Sequence, residues 1–397
     1  MMLTRPIGRD RRMAFEDSVR LLERLDWSAT DMPPSVLAYS PIAWGNPFQS
    51  MLYQGLHGSS LLPLPADDID TTLKLARELR GAAQVVAHLH WLNVVMARTS
   101  TRGAAESRLN AFVDKLDEVR ALGAEVLWTV HNIVPHESRW PDLEVRLRQA
   151  VVERAGRVHA MSSRTRELCL PYFDIPEDKI LHVPHPSYAG YYPNWMSRDQ
   201  ARAELGIPAH ATVFLTFGRL LPYKGSPELL EAFTRLALER PGQVVLLVAG
   251  RMGEDAETQA FYRRAATHTE VLVAEGQAYD EDVMRYYTAA DVCAYPYRRS
   301  LNSGALALGL TYGRPAVLPE HSGENEPGQS AWAATYDSDD PDGLFGALRD
   351  ACDRLVTEAA RQAARDAVAT LSPAHVSARF HDEVRGWLTS RAGAEVS

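Results

Sequence analysis

Short apolar runs alternate with amphipathic stretches along this chain, break off near its middle, and start again. In the first half Ser35–Ser40, Gln84–His90, Glu125–Val130, Arg157–Met161 and Ile180–Pro184 read as strands. Helical periodicity falls between them at Thr72–Arg80 and Ala104–Ala121. Near-continuous apolar strands separated by helices are the mark of a parallel sheet covered on both faces. The stretch His185-Pro-Ser-Tyr-Ala-Gly-Tyr-Tyr-Pro193 then interrupts both periods. Asp199–Leu205 reads as a short helix ended by Gly206. The pattern resumes with strands at Thr212–Phe217, Gln243–Ala249, Glu270–Ala274, Asp291–Ala294 and Pro315–Leu318, and helices at Pro227–Leu238, Glu281–Ala290, Ser303–Tyr312 and Asp342–Arg354. The expectation is an α/β chain of two doubly wound, Rossmann-like domains facing a central cleft, divided as 1–188 and 189–374, with 375–397 packing back onto the first.

Length supports two domains, because 397 residues exceed one comfortable core. Hydrophobic content of 46% and charged content of 23% are those of an ordinary globular protein. A formal net charge of −9 argues against a nucleic-acid partner, whose phosphate backbone demands clustered cations. Two or three local cations still suffice for a small anion. Cys169, Cys293 and Cys352 are widely spaced, which points to a reducing compartment and away from a metal cluster. Apolar runs such as Val244–Gly250 are too short to span a bilayer, and no apolar core segment follows the N-terminal arginines. The location read from this is cytoplasmic, with peripheral contact at the inner membrane surface left open.

Residues 216–225, Thr-Phe-Gly-Arg-Leu-Leu-Pro-Tyr-Lys-Gly, carry the most chemistry. They join a strand to a helix, the place where α/β folds bind anions. Gly218 lets a ligand approach the backbone, and Arg219 and Lys224 bring positive charge to a phosphate. The spacing matches neither a Walker A loop nor a dinucleotide fingerprint. A solvated surface pair beside an ordinary turn is the plainer reading. Further along, Ser303 is a good N-cap, and the helix start it opens is a second place for a phosphate.

The order Gly218-Arg219, Lys224-Gly225, Gly276–Glu281, Tyr286–Asp291, Tyr295–Arg298, Ser303-Gly304 and Gly313–Pro315 resembles the retaining GT-B glycosyltransferases of the large family four. The resemblance spans nearly the whole chain and is strongest in the second half. It implies transfer of a sugar from a nucleotide-diphosphate sugar to an acceptor hydroxyl, with retained configuration and neither cofactor nor metal. Arg219 and Lys224 would neutralise the leaving diphosphate, with Gly218, Arg298, Asn302, Ser303, Gly304 and Ala305 around the donor and Tyr279 near its base. One departure stands out. Two glutamates eight positions apart are common in the family, and here those positions hold Ser300 and Leu308.

In the first half, His131 closes a strand in Thr129–Glu137, where the family places a histidine near the reaction centre. It joins Arg219 and Lys224 as a catalytic candidate, in a positioning role. Trp44, Gly45, Asn46, His90 and His136 are the acceptor-side candidates, with Trp44 as an apolar platform and Gly45-Asn46 giving turn freedom. His88 and His90 alternate on one strand face, yet lack the further ligands of a metal shell. Glycosyl transfer in polysaccharide, glycolipid or specialised-metabolite synthesis is the leading expectation. A nucleotide-sugar epimerase of the same fold and a non-catalytic nucleotide-sugar-binding protein are its rivals.

Overall fold

A computed structural model describes residues 35–56, 60–134, 138–276, 278–322 and 329–396. They form two compact units. One comprises the described residues through Val183 together with those from Val376 onward; the other is Pro184–His375. Each is built on a six-stranded, wholly parallel sheet, the architecture of a two-Rossmann-domain GT-B fold.

The first sheet has the order β2-β1-β3-β4-β5-β6. Its strands are β1 (Ser35–Ser40), β2 (Leu61–Pro65), β3 (Gln84–Leu89), β4 (Glu125–Thr129), β5 (Arg157–Ala160) and β6 (Ile180–His182). The long helix Arg102–Ala121 starts on Thr101, whose side chain accepts from the Ala104 N–H. The helix Pro373–Val396 lays Phe380, fully buried, against β3 and β5. The order in which strands are added reverses at β1, with β2 on one side and β3 on the other, so the carboxyl ends of β1 and β3 flank the switch point where such sheets bind ligands.

The second sheet runs β12-β11-β10-β7-β8-β9, with β7 (Thr212–Phe217), β8 (Val244–Gly250), β9 (Val271–Glu275), β10 (Val292–Ala294), β11 (Ala316–Pro319) and β12 (Ala333–Tyr336). Its switch point lies between β7 and β10. Helix Ser226–Glu239 buries Leu229, Leu230, Phe233 and Leu236 on this sheet, an i, i+3/i+4, i+7 stripe. At the opposite, amino end of β7 and β10, buried Asp291 binds Arg198, Arg202 and Arg361 at 3.1, 2.6 and 3.1 Å. It also accepts from the Val213 N–H at 2.9 Å, tying β10 to β7.

Two strands escape the sequence reading, β2 and β12. Both are edge strands. Pro63 and Pro65 interrupt the ladder of β2 without cost on an edge, and β12 is only four residues long. The helix expected over Asp342–Arg354 is α-helical over Gly343–Asp350 and closes in a π-helical turn, Ala351–Leu355.

Candidate active site

In the second unit the turn after β7 is folded around one lysine. Lys224 is 8% exposed, and its Nζ donates to the Phe217 carbonyl at 3.2 Å. The ammonium lies 5.3 Å from the Tyr297 ring centroid. Burial lowers its pKa from 10.5 to about 8, and no carboxylate compensates for it among the described residues. A buried cation without an internal counter-ion is a costly arrangement, and an anionic ligand relieves it. Gly225 explains how the turn closes. Its φ is +65°, and a Cβ there would fall 2.0 Å from the Pro296 carbonyl oxygen, so only glycine lets this turn meet the end of β10. Gly218, at φ +103°, leaves the space in which the lysine head sits: a Cβ would lie 3.0 Å from Nζ. Arg219 is exposed at the same turn.

The helix Gly304–Thr311 begins on the other side of the switch point, after β10. Ser303 Oγ accepts from the Leu306 N–H at 3.1 Å, leaving the earlier N–H groups of the first turn to a ligand. The Ala305 carbonyl accepts from Tyr295 and Tyr287 hydroxyls at 2.6 and 3.2 Å. Asn302, Ser303, Gly304 and Ala305 are all half-buried there. Two residues that sequence reasoning missed press on this helix start. A Cβ on Gly304 would lie 2.7 Å from Tyr188 Oη and 3.6 Å from His185 Nε2. Both belong to the stretch that reads in sequence only as an interruption. Burial lowers the His185 pKa to about 4, so the ring is neutral, and its Nδ1 lies 2.7 Å from the Pro186 carbonyl.

Arg298 is a correction. Its guanidinium pairs with Glu228 and Glu257, each at 2.6 Å, and clamps two helix starts to the segment after β10 instead of offering a free cation to a donor. Leu308 is 3% exposed, so that position adds to the interior and offers a ligand no polar group. Tyr279 is 66% exposed at the head of helix Asp280–Ala289, with its backbone N–H on Asp282.

In the first unit the switch point holds a chain of hydrogen bonds. His159 Nε2 lies 2.8 Å from the Val183 carbonyl, and its Nδ1 lies 2.9 Å from Thr129 Oγ1. Thr129 Oγ1 is 2.7 Å from His88 Nε2; His88 Nδ1 is 2.6 Å from the Tyr53 hydroxyl. That hydroxyl is 2.6 Å from His90 Nε2, and His90 Nδ1 is 2.9 Å from His131 Nε2. Burial pushes the pKa values of His88 and His90 well below the usual imidazole range and that of Tyr53 well above the phenol range. These three are therefore neutral. His131 is half-buried, stacked on Trp91 with ring centroids 4.0 Å apart and 14° between planes, with Phe48 edge-on at 5.0 Å.

His90 is 1% exposed, so it stands behind His131 and does not line the acceptor space as the sequence suggested. Trp44 is 58% exposed. The loop it sits on is braced by Gln49, whose side chain accepts from Ala43 N–H and donates to the Pro41 carbonyl, each at 2.9 Å. Gly45 has no left-handed φ and open space at its Cβ, so the turn does not depend on glycine there; Asn46 Oδ1 accepts from the Phe48 N–H at 3.0 Å. His136 lies outside the described residues. Tyr53, Thr129 and His159 were missed. Their signal was legible: His88, His90, Thr129 and His131 recur at period two on neighbouring strands, and Thr129 pairs with His159. Among the described residues no group of three or more His, Cys, Asp or Glu is placed to hold a metal.

Residues 211–354 match the family model described as "Glycosyl transferases group 1". The chain is 27% identical over 293 residues to a GDP-mannose:glycolipid 4-beta-D-mannosyltransferase of Xanthomonas campestris, covering 70% of this chain and 71% of that one. It is 31% identical over 211 residues to a D-inositol 3-phosphate glycosyltransferase of Corynebacterium efficiens, covering 50% of this chain and 49% of that one. Among solved structures, sucrose-phosphate synthase of Thermosynechococcus elongatus superposes with a TM-score of 0.65 at 15% identity, over 90% of this chain and all of that one. Anabaena HepE in complex with UDP-glucose gives a TM-score of 0.63 at 15% identity, over 89% of this chain and 99% of that one. With its two parallel-sheet units and its match to the group 1 model, the chain is a GT-B-fold glycosyltransferase resembling that family.

Proposed function

We propose that the second unit holds the diphosphate of a nucleotide sugar and the first unit holds a hydroxyl-bearing acceptor. Buried Lys224, which has no carboxylate partner among the described residues, is the observation that carries this reading. Arg219 and the first N–H groups of helix Gly304–Thr311 complete the diphosphate contacts, and charge developing on the leaving group is met by fixed positive groups. Trp44, exposed beside the first switch point, gives the acceptor an apolar face to lie on. The acceptor class best supported is a glycolipid, the substrate named for the Xanthomonas relative, and GDP-mannose is the first donor to test. A glycolipid acceptor also fits peripheral contact with a membrane surface; none of the described helices is long and apolar enough to cross one.

Retention of configuration follows from the family resemblance. Inversion is the second reading, and one observation favours it. The Xanthomonas relative is named for a β-D-mannosyl product, and from an α-linked donor a β product is an inverted one. The test is nucleoside-diphosphate release from GDP- and UDP-sugars with a panel of glycolipid acceptors, with the product's anomeric protons read by NMR. Acceptor-dependent release from one nucleotide series supports the proposal. Epimerised sugar nucleotide formed without acceptor, or binding without turnover, overturns it.

A further inference from the structure

Asp291 stands at the amino end of β10, and the arginines around it are not equivalent. Arg202 is saturated: it donates to the Asp291 carboxylate and to the carbonyls of Ala289, Ala209 and Ala211. Arg198 and Arg361 each reach Asp291 Oδ1 at 3.1 Å, one from helix Arg198–Leu205 and the other from helix Glu358–Ala367. Both have N–H groups to spare. Arg361 Nε is buried and meets no acceptor among the described residues, and the Arg198 side chain is 34% exposed. Arg314 is the fourth. Cys293 donates its N–H to the Pro315 carbonyl at 2.8 Å, which sets the entry to β11, and Arg314 with it, at the same sheet edge as Asp291. Arg314 is half-buried, and its Nε is enclosed with no hydrogen-bond partner among the described residues.

The charges at this edge do not balance. Glu358 pairs with Arg365 at 2.5 Å and only grazes Arg361 at 3.6 Å. Arg198, Arg202, Arg314, Arg361 and Arg365 therefore face Asp291 and Glu358, five cations against two anions. Burial, and then repulsion from Arg361, lowers the Arg314 pKa from 12.5 to about 10, so the guanidinium is charged at neutral pH and held there at a cost.

We infer that Arg198, Arg314 and Arg361 form a binding site for a phosphate group, on the edge of the second sheet opposite Lys224. The inference does not depend on the nucleotide-sugar reading. A phosphate brings up to two negative charges, which the excess of cations requires and a single carboxylate would not supply. Its terminal oxygens accept from forked guanidiniums in pairs. The three arginines come from two helices and the entry to β11, so a bound phosphate ties these elements together and stabilises the second unit. A free phosphate or phosphomonoester and the headgroup of an anionic lipid present the same chemistry.

The test is isothermal titration of the full chain with inorganic phosphate at low ionic strength. Lys224→Met serves as the reference protein, so that phosphate held at the donor turn is not counted. The expected result is saturable binding to Lys224→Met, weakened about ten- to a hundredfold when Arg314→Gln is added, and likewise by Arg198→Gln on the solvent side. Phosphate should raise the Tm of Lys224→Met and leave that of the Lys224→Met, Arg314→Gln double variant unmoved. Without phosphate, adding Arg314→Gln should not lower Tm, because it removes an unpaired charge. A loss of several degrees would make the guanidinium a folding element and overturn the inference. Sedimentation with phosphatidylcholine vesicles, with and without phosphatidic acid, separates the two sources. Saturable binding of free phosphate assigns the site to a soluble ligand. Arg314-dependent capture by phosphatidic acid vesicles, with free phosphate unbound, assigns it to a lipid headgroup. Binding of neither, or binding that Arg314→Gln and Arg198→Gln leave unchanged, overturns the site.

Discussion

Lys224→Met is the most informative single substitution, because it moves stability and ligand affinity in opposite directions. Methionine keeps an unbranched chain of similar reach and removes the charge. Burial lowers the Lys224 pKa from its ordinary 10.5 to about 8 in the folded protein. A folded value below the unfolded one means that folding disfavours the charged form. The penalty is present in full below pH 8, shrinks as the pH rises toward 10.5, and is gone above it. At 1.36 kcal/mol per pH unit it amounts to about 3 kcal/mol as an upper bound. At pH 7 the ammonium is still charged in about nine molecules of ten. Without ligand, Lys224→Met should therefore be more stable at pH 7 by about 1–3 kcal/mol, a rise of about 2–4 °C in Tm per kcal/mol for a unit of this size. The gain should narrow at pH 9.5. Loss of a charge-assisted contact to diphosphate should meanwhile weaken nucleotide binding by about 1.5–3 kcal/mol, or about ten- to a hundredfold. Thermal melts without ligand and isothermal titration with GDP and UDP read the two effects separately. A Lys224→Met protein that is less stable at pH 7, or that binds nucleotide as tightly as wild type, refutes the reasoning.

Other substitutions separate binding from folding. Arg219→Ala, at an exposed position, should weaken nucleotide binding about tenfold in the same titration while Tm shifts by under about 1 °C. Gly225→Ala should lower stability by about 2–4 kcal/mol in urea unfolding and reduce nucleotide affinity with it, because the new Cβ meets the Pro296 carbonyl and displaces Lys224. Asp291→Ala leaves Arg198, Arg202 and Arg361 without their shared carboxylate and should cost about 3–5 kcal/mol in the same experiment. Any activity it retains below the unfolding transition should show an unchanged donor KM, since Asp291 sits at the amino ends of β7 and β10 and the donor residues follow their carboxyl ends.

Much of this organisation was legible in the sequence. The central strands are apolar on both faces, as burial within a parallel sheet requires, and their ends fell within a residue or two of expectation. Of the edge strands, β6 and β9 were legible but β2 and β12 were not, since β2 carries two prolines that a central strand would exclude and β12 is too short to show a period. Lys224 and Gly225 could be singled out because strand-to-helix turns with cations attract anions. Burial of Lys224 could not be foreseen, because it depends on β10 approaching from seventy residues away, about the span between Gly225 and Pro296. Arg298 misled for the complementary reason. Its partners Glu228 and Glu257 are remote in sequence, so a guanidinium that reads as free is held in ion pairs. The histidines of β3 and β4 were visible as an alternating set, but Tyr53 enters from a helix and His159 from β5, and only the folded sheet brings all of them into one line.

The central claim is that one unit reads the donor diphosphate through Lys224 and the other positions the acceptor through His131. Saturation-transfer NMR with GDP- and UDP-sugars tests it most directly, on wild type, Lys224→Met and His131→Ala, followed by turnover with acceptor on the same samples. The account predicts strong transfer to one nucleotide series, its loss in Lys224→Met, and its survival in His131→Ala with turnover abolished. Donor signals that survive in Lys224→Met, or His131→Ala turning over at the wild-type rate, would contradict it.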